Sequence, residues 1–158
     1  MPICHTCQRI ARRDAGQAPT WDNILRTAHW DLVHAYDSAL PGWLVLVARR
    51  HVASIAELSP EAAAELGPLL RCVSIALEEV SGCGKTYVAQ FAESPEHPHV
   101  HFHIVPRMAD CPADRLGPKA FGYLGASDSE RVDEETMTQL ALDLRERLDV
   151  LLSSQVLA

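Results

Sequence analysis

The stretch Glu96-His97-Pro98-His99-Val100-His101-Phe102-His103-Ile104-Val105-Pro106-Arg107 carries four of the chain's eight histidines, each two residues from the next. Alternation of this period belongs to a β-strand, whose side chains point to opposite faces in turn. Val100, Phe102 and Ile104 then share one face and turn toward a core, while His99, His101 and His103 share the other. Val and Phe favour strands, and Pro106 is expected to end this one. A row of imidazoles makes a poor packing surface, because each ring is bulky and brings two nitrogens that need partners. Three on one face point to metal binding or catalysis, since imidazole is both a ligand and a base or nucleophile near neutral pH.

The flanking sequence supplies neighbours for this strand. Thr86–Ala92 reads as a strand leading into it through the polar turn 93–96. Upstream, Trp30–Tyr36 and the strongly apolar Trp43–Ala48 read as an antiparallel pair around the turn Leu40-Pro41-Gly42. Arg49-Arg50-His51 follows the second of these. A helix is expected from Ser59, a plausible N-cap before Pro60 and Glu61. Leu66, Leu70, Val73 and Leu77 would form its apolar face, Pro68 should kink or divide it, and Ser81-Gly82-Cys83-Gly84 should stop it. Cys72 falls in this apolar region and is expected to pack as a small hydrophobe. Residues 8–28 show little periodicity, and 108–131 read as a long surface loop held down by Phe121, Tyr123 and Leu124. A terminal helix over 132–152 carries the stripe Met137, Leu140, Leu144, Leu148 and Leu151, with a frayed tail after Ser153. Strands joined mostly by turns, with one central and one terminal helix, make an α+β layout on an antiparallel sheet.

The 158 residues suit a single domain over 1–158, with a core at about 4–107. No stretch is apolar enough to span a membrane, and no secretory leader pattern opens the chain, so the expected location is the cytoplasm. Five cysteines, an odd number, fit reduced thiols better than a disulfide framework. A net charge of -7 argues against a nucleic-acid-binding surface but leaves room for a small anion in a local pocket. The pair in Cys4-His5-Thr6-Cys7 can offer two thiolates to one metal, which is half a zinc site. Two further ligands are needed. His51 and one histidine of the triad strand would complete a closed tetrahedral, structural set.

His99-Val100-His101-Phe102-His103-Ile104-Val105, together with Pro106-Arg107, Pro41-Gly42 and Arg50-His51, resembles the histidine-triad (HIT) superfamily of nucleotide hydrolases and transferases over roughly residues 4–107. The resemblance implies an antiparallel sheet of about five strands with two helices, usually in a homodimer. It implies that His101 is the nucleophile, attacking the α-phosphate of a small nucleotide substrate to form a nucleotidyl-histidine intermediate. It implies that His103 contacts phosphate, and that structural zinc is held by Cys4, Cys7, His51 and His99 with no organic cofactor. Substrates would be dinucleoside polyphosphates, nucleoside phosphoramidates or similar compounds.

Several positions depart from the family pattern. Ser94-Pro95-Glu96-His97-Pro98 stands where many members have a Gly-Gln-Ser type segment, so Ser94 and His97 become candidate phosphate contacts. His34 stands in place of the usual Asn on the first hairpin strand and joins that set, as does Arg107. Trp43 stands where a histidine often follows Gly42. His97-Pro98-His99 also imitates the motif of the galactose-1-phosphate uridylyltransferase branch, in which His97 would bind zinc and His99 would be the nucleophile. Two other functions compete with catalysis: a catalytically weak nucleotide-binding or interaction protein of the same fold, and a protein whose histidines hold a second, catalytic metal.

Overall fold

The computed structural model describes residues 4–155. Five strands form one antiparallel sheet: β1 (Leu25–Arg26), β2 (Trp30–His34), β3 (Leu44–Ala48), β4 (Lys85–Ala89) and β5 (His101–Arg107), in the order β1-β2-β3-β5-β4. Three α-helices accompany it: α1 (His5–Asp14), α2 (Pro60–Ser81) and α3 (Glu134–Gln155). The expected α+β class and five-stranded antiparallel sheet are present. β1 and α1 lie in sequence that shows no apolar period, and they add one helix to the two expected.

Alternation along the strands gives the sheet two chemically different faces. Leu32, Leu44, Leu46, Phe102 and Ile104 are buried in the main core with Leu69, Val73 and Leu77 of α2 and Met137, Leu144 and Leu148 of α3. Trp30 is fully buried there, and its indole N–H donates to the Ala62 carbonyl at 3.1 Å. The opposite face carries Val33, Val45, Val47, His101 and His103, with Ile10 of α1 packed on Val33 and Val47. The apolar face therefore holds the helices, and the histidine face is left for α1 and a cavity.

Local chemistry explains the ends and one surprise in α2. Ser59 Oγ accepts the Ala62 N–H at 3.2 Å, and Gly82, at φ 71°, closes the helix with its N–H on Glu78 O. The helix runs unbroken through Pro68. Gly67 precedes this proline, so the usual clash of proline with the preceding Cβ is absent. Pro68 is also exposed, so water can serve the Ala64 carbonyl that its missing N–H leaves free. Cys72 is buried in the core as expected.

β5 also differs from its expectation at both ends. Its ladder begins at His101, while the flanking Val100 bonds through its N–H to Val52 O and through its carbonyl to Ala48 N. Pro106 does not end the strand, which continues to Arg107. Gly84 N–H donates to Arg107 O, so Arg107's backbone groups face β4 and the nitrogen of Pro106 faces the other side. The β3 ladder has already stopped there, at Leu44 opposite Ile104, so no hydrogen bond is lost. The long loop contains 3₁₀ turns at Ala113–Arg115 and Gly117–Tyr123, and Phe121, Tyr123 and Leu124 pack against Trp43 and Val105. The tail after Ser153 is helical to Gln155, and its last three residues lie outside the described ones. Among the described residues no helix is long and apolar enough to cross a membrane.

A buried ion network anchors α1. Arg13 bonds Asp22 Oδ1 at 2.9 Å and Asp31 Oδ2 at 3.1 Å, with its side chain 1 % exposed. Arg26 closes the other side of Asp31. Replacing Arg13 with methionine keeps the packing volume and leaves buried carboxylates short of a partner. The expected loss is about 3 kcal/mol of stability, the lower end for a broken buried pair because Arg26 remains on Asp31. Chemical denaturation of the variant measures it.

Candidate active site and metal centre

Two adjacent antiparallel strands bring the histidine-bearing segments together. His51 follows the end of β3 and His99 precedes the start of β5, and α1 sets the Cys4–Cys7 knuckle against both. Cys7 Sγ lies 3.2 Å from His51 Nδ1 and 3.5 Å from His99 Nδ1. Cys4 Sγ lies 3.7 Å from His99 Nδ1, and the two imidazole nitrogens are 3.1 Å apart. A tetrahedral zinc with Zn–S of about 2.3 Å and Zn–N of about 2.0–2.1 Å needs S···N edges of about 3.6 Å and an N···N edge of about 3.3 Å. The four residues fit that demand. His99 Nε2 sits 2.6 Å from the Ala48 carbonyl, which can only accept, so the proton is on Nε2 and the Nδ1 lone pair faces the cluster. Burial, then the adjacent Cys4 sulfur, push the Cys7 thiol up to about 11. The Cys7 sulfur ionises there only with a cation beside it, as a thiolate ligand to a divalent metal requires.

His99 is the histidine brought to this cluster, and His97 is not. His97 turns the other way, with Nδ1 2.9 Å from Thr6 Oγ1 and Nε2 3.4 Å from the Tyr36 hydroxyl. This arrangement follows the frame in which His101 is the middle histidine.

His101 and His103 face a cavity of about 330 Å³ whose walls include Val33, Val45, Val47, Arg9, Tyr36 and His97. Their protons are placed by their partners. His101 Nδ1 lies 2.7 Å from the His99 carbonyl, which accepts, so Nδ1 carries the proton and Nε2 an electron pair. Trp43 Nε1–H donates to His103 Nδ1 at 3.1 Å; an indole only donates, so the proton of His103 is on Nε2. Burial lowers the pKa of His101, and burial followed by the neighbouring His101 brings His103 down to about 3. Both rings are therefore neutral at physiological pH. They meet edge to face with centroids 4.9 Å apart, one offering an electron pair and the other an N–H.

The remaining expected contacts divide. Ser94 and His97 line the cavity with His103. His34 also borders it, but both ring nitrogens are used inside the hairpin: Nδ1–H donates to Ala35 O at 2.8 Å, and Nε2 accepts the Gly42 N–H at 2.9 Å. His34 is 1 % exposed and has no ring atom left for phosphate, which corrects the expectation. It holds the turn instead, where Gly42 adopts φ 85° and where an added Cβ would meet Leu77 Cδ1 at 3.2 Å. Arg107 is likewise not at the site. It closes the far end of β5 opposite Lys85, about 20 Å from His101 at the rise of a strand. Thr6, Arg9, Arg13 and Tyr36 line the cavity without having been anticipated. The only trace in the sequence is the spacing Thr6, Ile10, Arg13, the buried face of α1, and polar residues on that face hide it from a search for apolar periods.

No family model matches the sequence, and no curated protein matches it either. Solved structures do match. A zinc-bound histidine-triad family protein from Mycobacterium smegmatis is 18% identical, covers 96% of both chains and has a TM-score of 0.67. A hypothetical histidine-triad nucleotide-binding protein from Sulfolobus tokodaii is 14% identical over 92% of this chain and 93% of that one, with a TM-score of 0.68. A histidine-triad protein from Marinobacter aquaeolei is 25% identical over 82% of this chain and 89% of its own, with a TM-score of 0.66. The fold of this chain is the one that those histidine-triad structures share.

Proposed function

We propose that the protein is a nucleotide hydrolase or nucleotidyl transferase that acts at an α-phosphate through His101. The observation that carries this reading is the pair of fixed tautomers: an unprotonated His101 Nε2 beside a protonated His103 Nε2, both at the cavity. His101 Nε2 attacks the α-phosphorus, and the P–O bond to the leaving group breaks with its electron pair leaving on that oxygen. The His103 N–H donates to a phosphate oxygen as negative charge grows on it. Water then attacks the phosphorus, the P–N bond breaks, and its electron pair returns to Nε2. The covalent intermediate divides one difficult displacement into two easier ones.

In this reading Cys4, Cys7, His51 and His99 hold zinc, which supplies no reacting group and instead fixes the His99 segment whose carbonyl orients His101. Metal analysis is expected to return about one zinc per chain, and two or more would favour a second, catalytic metal. The same reading places the protein in a reducing cytoplasm as a homodimer, which sedimentation checks.

The test is a panel of a dinucleoside tetraphosphate, adenosine phosphoramidate and a nucleotide sugar, with release of nucleoside monophosphate measured and the protein, quenched in alkaline denaturant because the P–N bond is acid-labile, weighed for a nucleotidyl adduct. Turnover with an adduct supports the reading. No turnover by folded, zinc-loaded protein would leave a nucleotide-binding protein of this fold.

Trp43 gives a second check. Trp43→Phe removes the donor to His103 Nδ1 and frees the ring to take either tautomer. Losing one hydrogen bond of about 1–1.5 kcal/mol lowers kcat about tenfold, with KM little changed. A melting curve close to that of the unaltered protein separates this from a packing defect.

A further inference from the structure

His5, Glu96 and His97 form a second cluster of ligand-bearing side chains, with one ligand atom from each lying within 4.8 Å of the others. The Cys4, Cys7, His51 and His99 centre uses none of them. His5 sits between the two cysteines at the start of α1, and His97 turns away from His99 toward Thr6 and Tyr36. Two distant segments are clamped together here: the His5 backbone N–H donates to the Glu96 carbonyl at 2.9 Å. The two imidazoles meet edge to face with centroids 5.7 Å apart, and His5 Nδ1 lies 3.8 Å from Glu96 Oε2.

An ordinary surface ion pair would need only His5 and Glu96. His97 adds a second imidazole, and each of its nitrogens faces a hydroxyl, Thr6 Oγ1 at 2.9 Å and Tyr36 at 3.4 Å. A hydroxyl can donate or accept. One nitrogen can therefore give its electron pair to a metal while the other donates its N–H to a hydroxyl oxygen, the support that a ligating imidazole needs. A zinc ion held by two imidazoles and a carboxylate needs ligand edges of about 3.4 Å. The spacing here is wider, and the Glu96 side chain, 68 % exposed, is free to close it. Arg9 shares the groove with His5 and His97. Its guanidinium is stacked over the Tyr36 ring at 4.2 Å and reaches Asp22 at 3.5 Å, so part of its charge is already answered.

We propose that His5, Glu96 and His97 form a second metal site, one that binds a divalent transition-metal ion such as Zn²⁺ reversibly. Two imidazoles select such an ion over Mg²⁺ or Ca²⁺, which take oxygen ligands. Three protein ligands leave a coordination position open, whereas the cysteine-bearing set is closed by four. The second ion is therefore held more weakly: purified protein keeps one zinc per chain, and the second binds only when it is supplied. Glu96 and His97 also border the triad cavity, so the bound ion ties that wall to the first turn of α1. The site is independent of the reaction proposed above and stands or falls without it.

The experiment starts from protein shown by metal analysis to hold one zinc per chain, dialysed against metal-free buffer. Calorimetric titration with Zn²⁺ is expected to show one further ion per chain, and titration with Mg²⁺ none. His5→Gln, Glu96→Gln and His97→Gln should each weaken that second binding at least about tenfold, the scale of a lost supporting group or more. Glu93→Gln, an exposed carboxylate on the same turn, should leave it unchanged. Co²⁺ added to the same loaded protein should give ligand-field absorption without a sulfur-to-cobalt charge-transfer band, which separates this site from exchange into the thiolate centre. Melting curves confirm that each variant is folded, and the exposed Glu96 is the position least able to disturb packing. No further ion, an ion that any of the three variants binds as well as the unaltered protein does, or a sulfur charge-transfer band overturns the assignment.

Discussion

His101→Ala is expected to lower turnover of any accepted substrate by about 10⁴-fold or more, the scale seen when a nucleophile acting as part of a unit is removed. The expectation follows from geometry. His101 Nε2 is the imidazole electron pair left free at the cavity once its Nδ1–H is bonded to the His99 carbonyl, because the Nδ1 of His103 is occupied by Trp43. His103 cannot take over, since its free nitrogen carries a proton. His101 is half-buried and belongs to none of the hydrophobic core clusters, so the truncation should leave the fold intact. The measurement is nucleoside monophosphate release under single-turnover conditions, with a search for the adduct in both proteins. Residual turnover within about tenfold of the unaltered protein would remove His101 from the nucleophile's role and turn attention back to the uridylyltransferase-like frame.

Stripping the metal, or replacing Cys7 with serine, is expected to lower the melting temperature by about 8–16 °C. A ligand present at about 1,000 times its Kd stabilises the folded state by about 4 kcal/mol, and a chain of this size shifts by about 2–4 °C per kcal/mol. The effect should be local in origin. The cluster joins the N-terminus of α1 to the ends of β3 and β5, and His5 N–H reaches across to Glu96 O to hold the same segment. Without the cation, two sulfurs and two imidazole nitrogens crowd within 4.8 Å of one another and have only weak thiol–imidazole contacts among themselves. Cys111→Ser, in the loop remote from the cluster, is the control and should melt as the unaltered protein does. Calorimetry before and after chelation, with metal content measured on the same samples, checks this. A melting temperature indifferent to complete metal removal would deny the cluster a structural metal.

The triad strand, the hairpin before it and both long helices are legible because each is written in a period. One face of β5 is apolar at every second residue and the other carries imidazoles, so burying Phe102 and Ile104 forces His101 and His103 to the opposite side. The terminal stripe of α3 and the capped start of α2 are local signals of the same kind. α1 and β1 were not legible. The buried face of α1 is Thr6, Ile10 and Arg13, and only the paired carboxylates of Asp22 and Asp31 make an arginine there a core residue.

The sequence by itself determined the antiparallel α+β layout and the imidazole face, because side-chain alternation and residue type act over a few neighbours. Only the tertiary structure decided which nitrogen of each histidine is free. His34 and His103 are the same residue type in one sheet, on the two strands that flank β3, yet the Ala35 carbonyl and Gly42 N–H occupy both nitrogens of one, and Trp43 occupies only one nitrogen of the other. Arg107, two residues past the apolar end of the triad motif, is carried away from the cavity along β5, while Arg9, about ninety residues upstream, is brought to it by the docking of α1. Hydrogen-bond partners and charge placement are set by contacts between distant segments, and no short-range pattern encodes them.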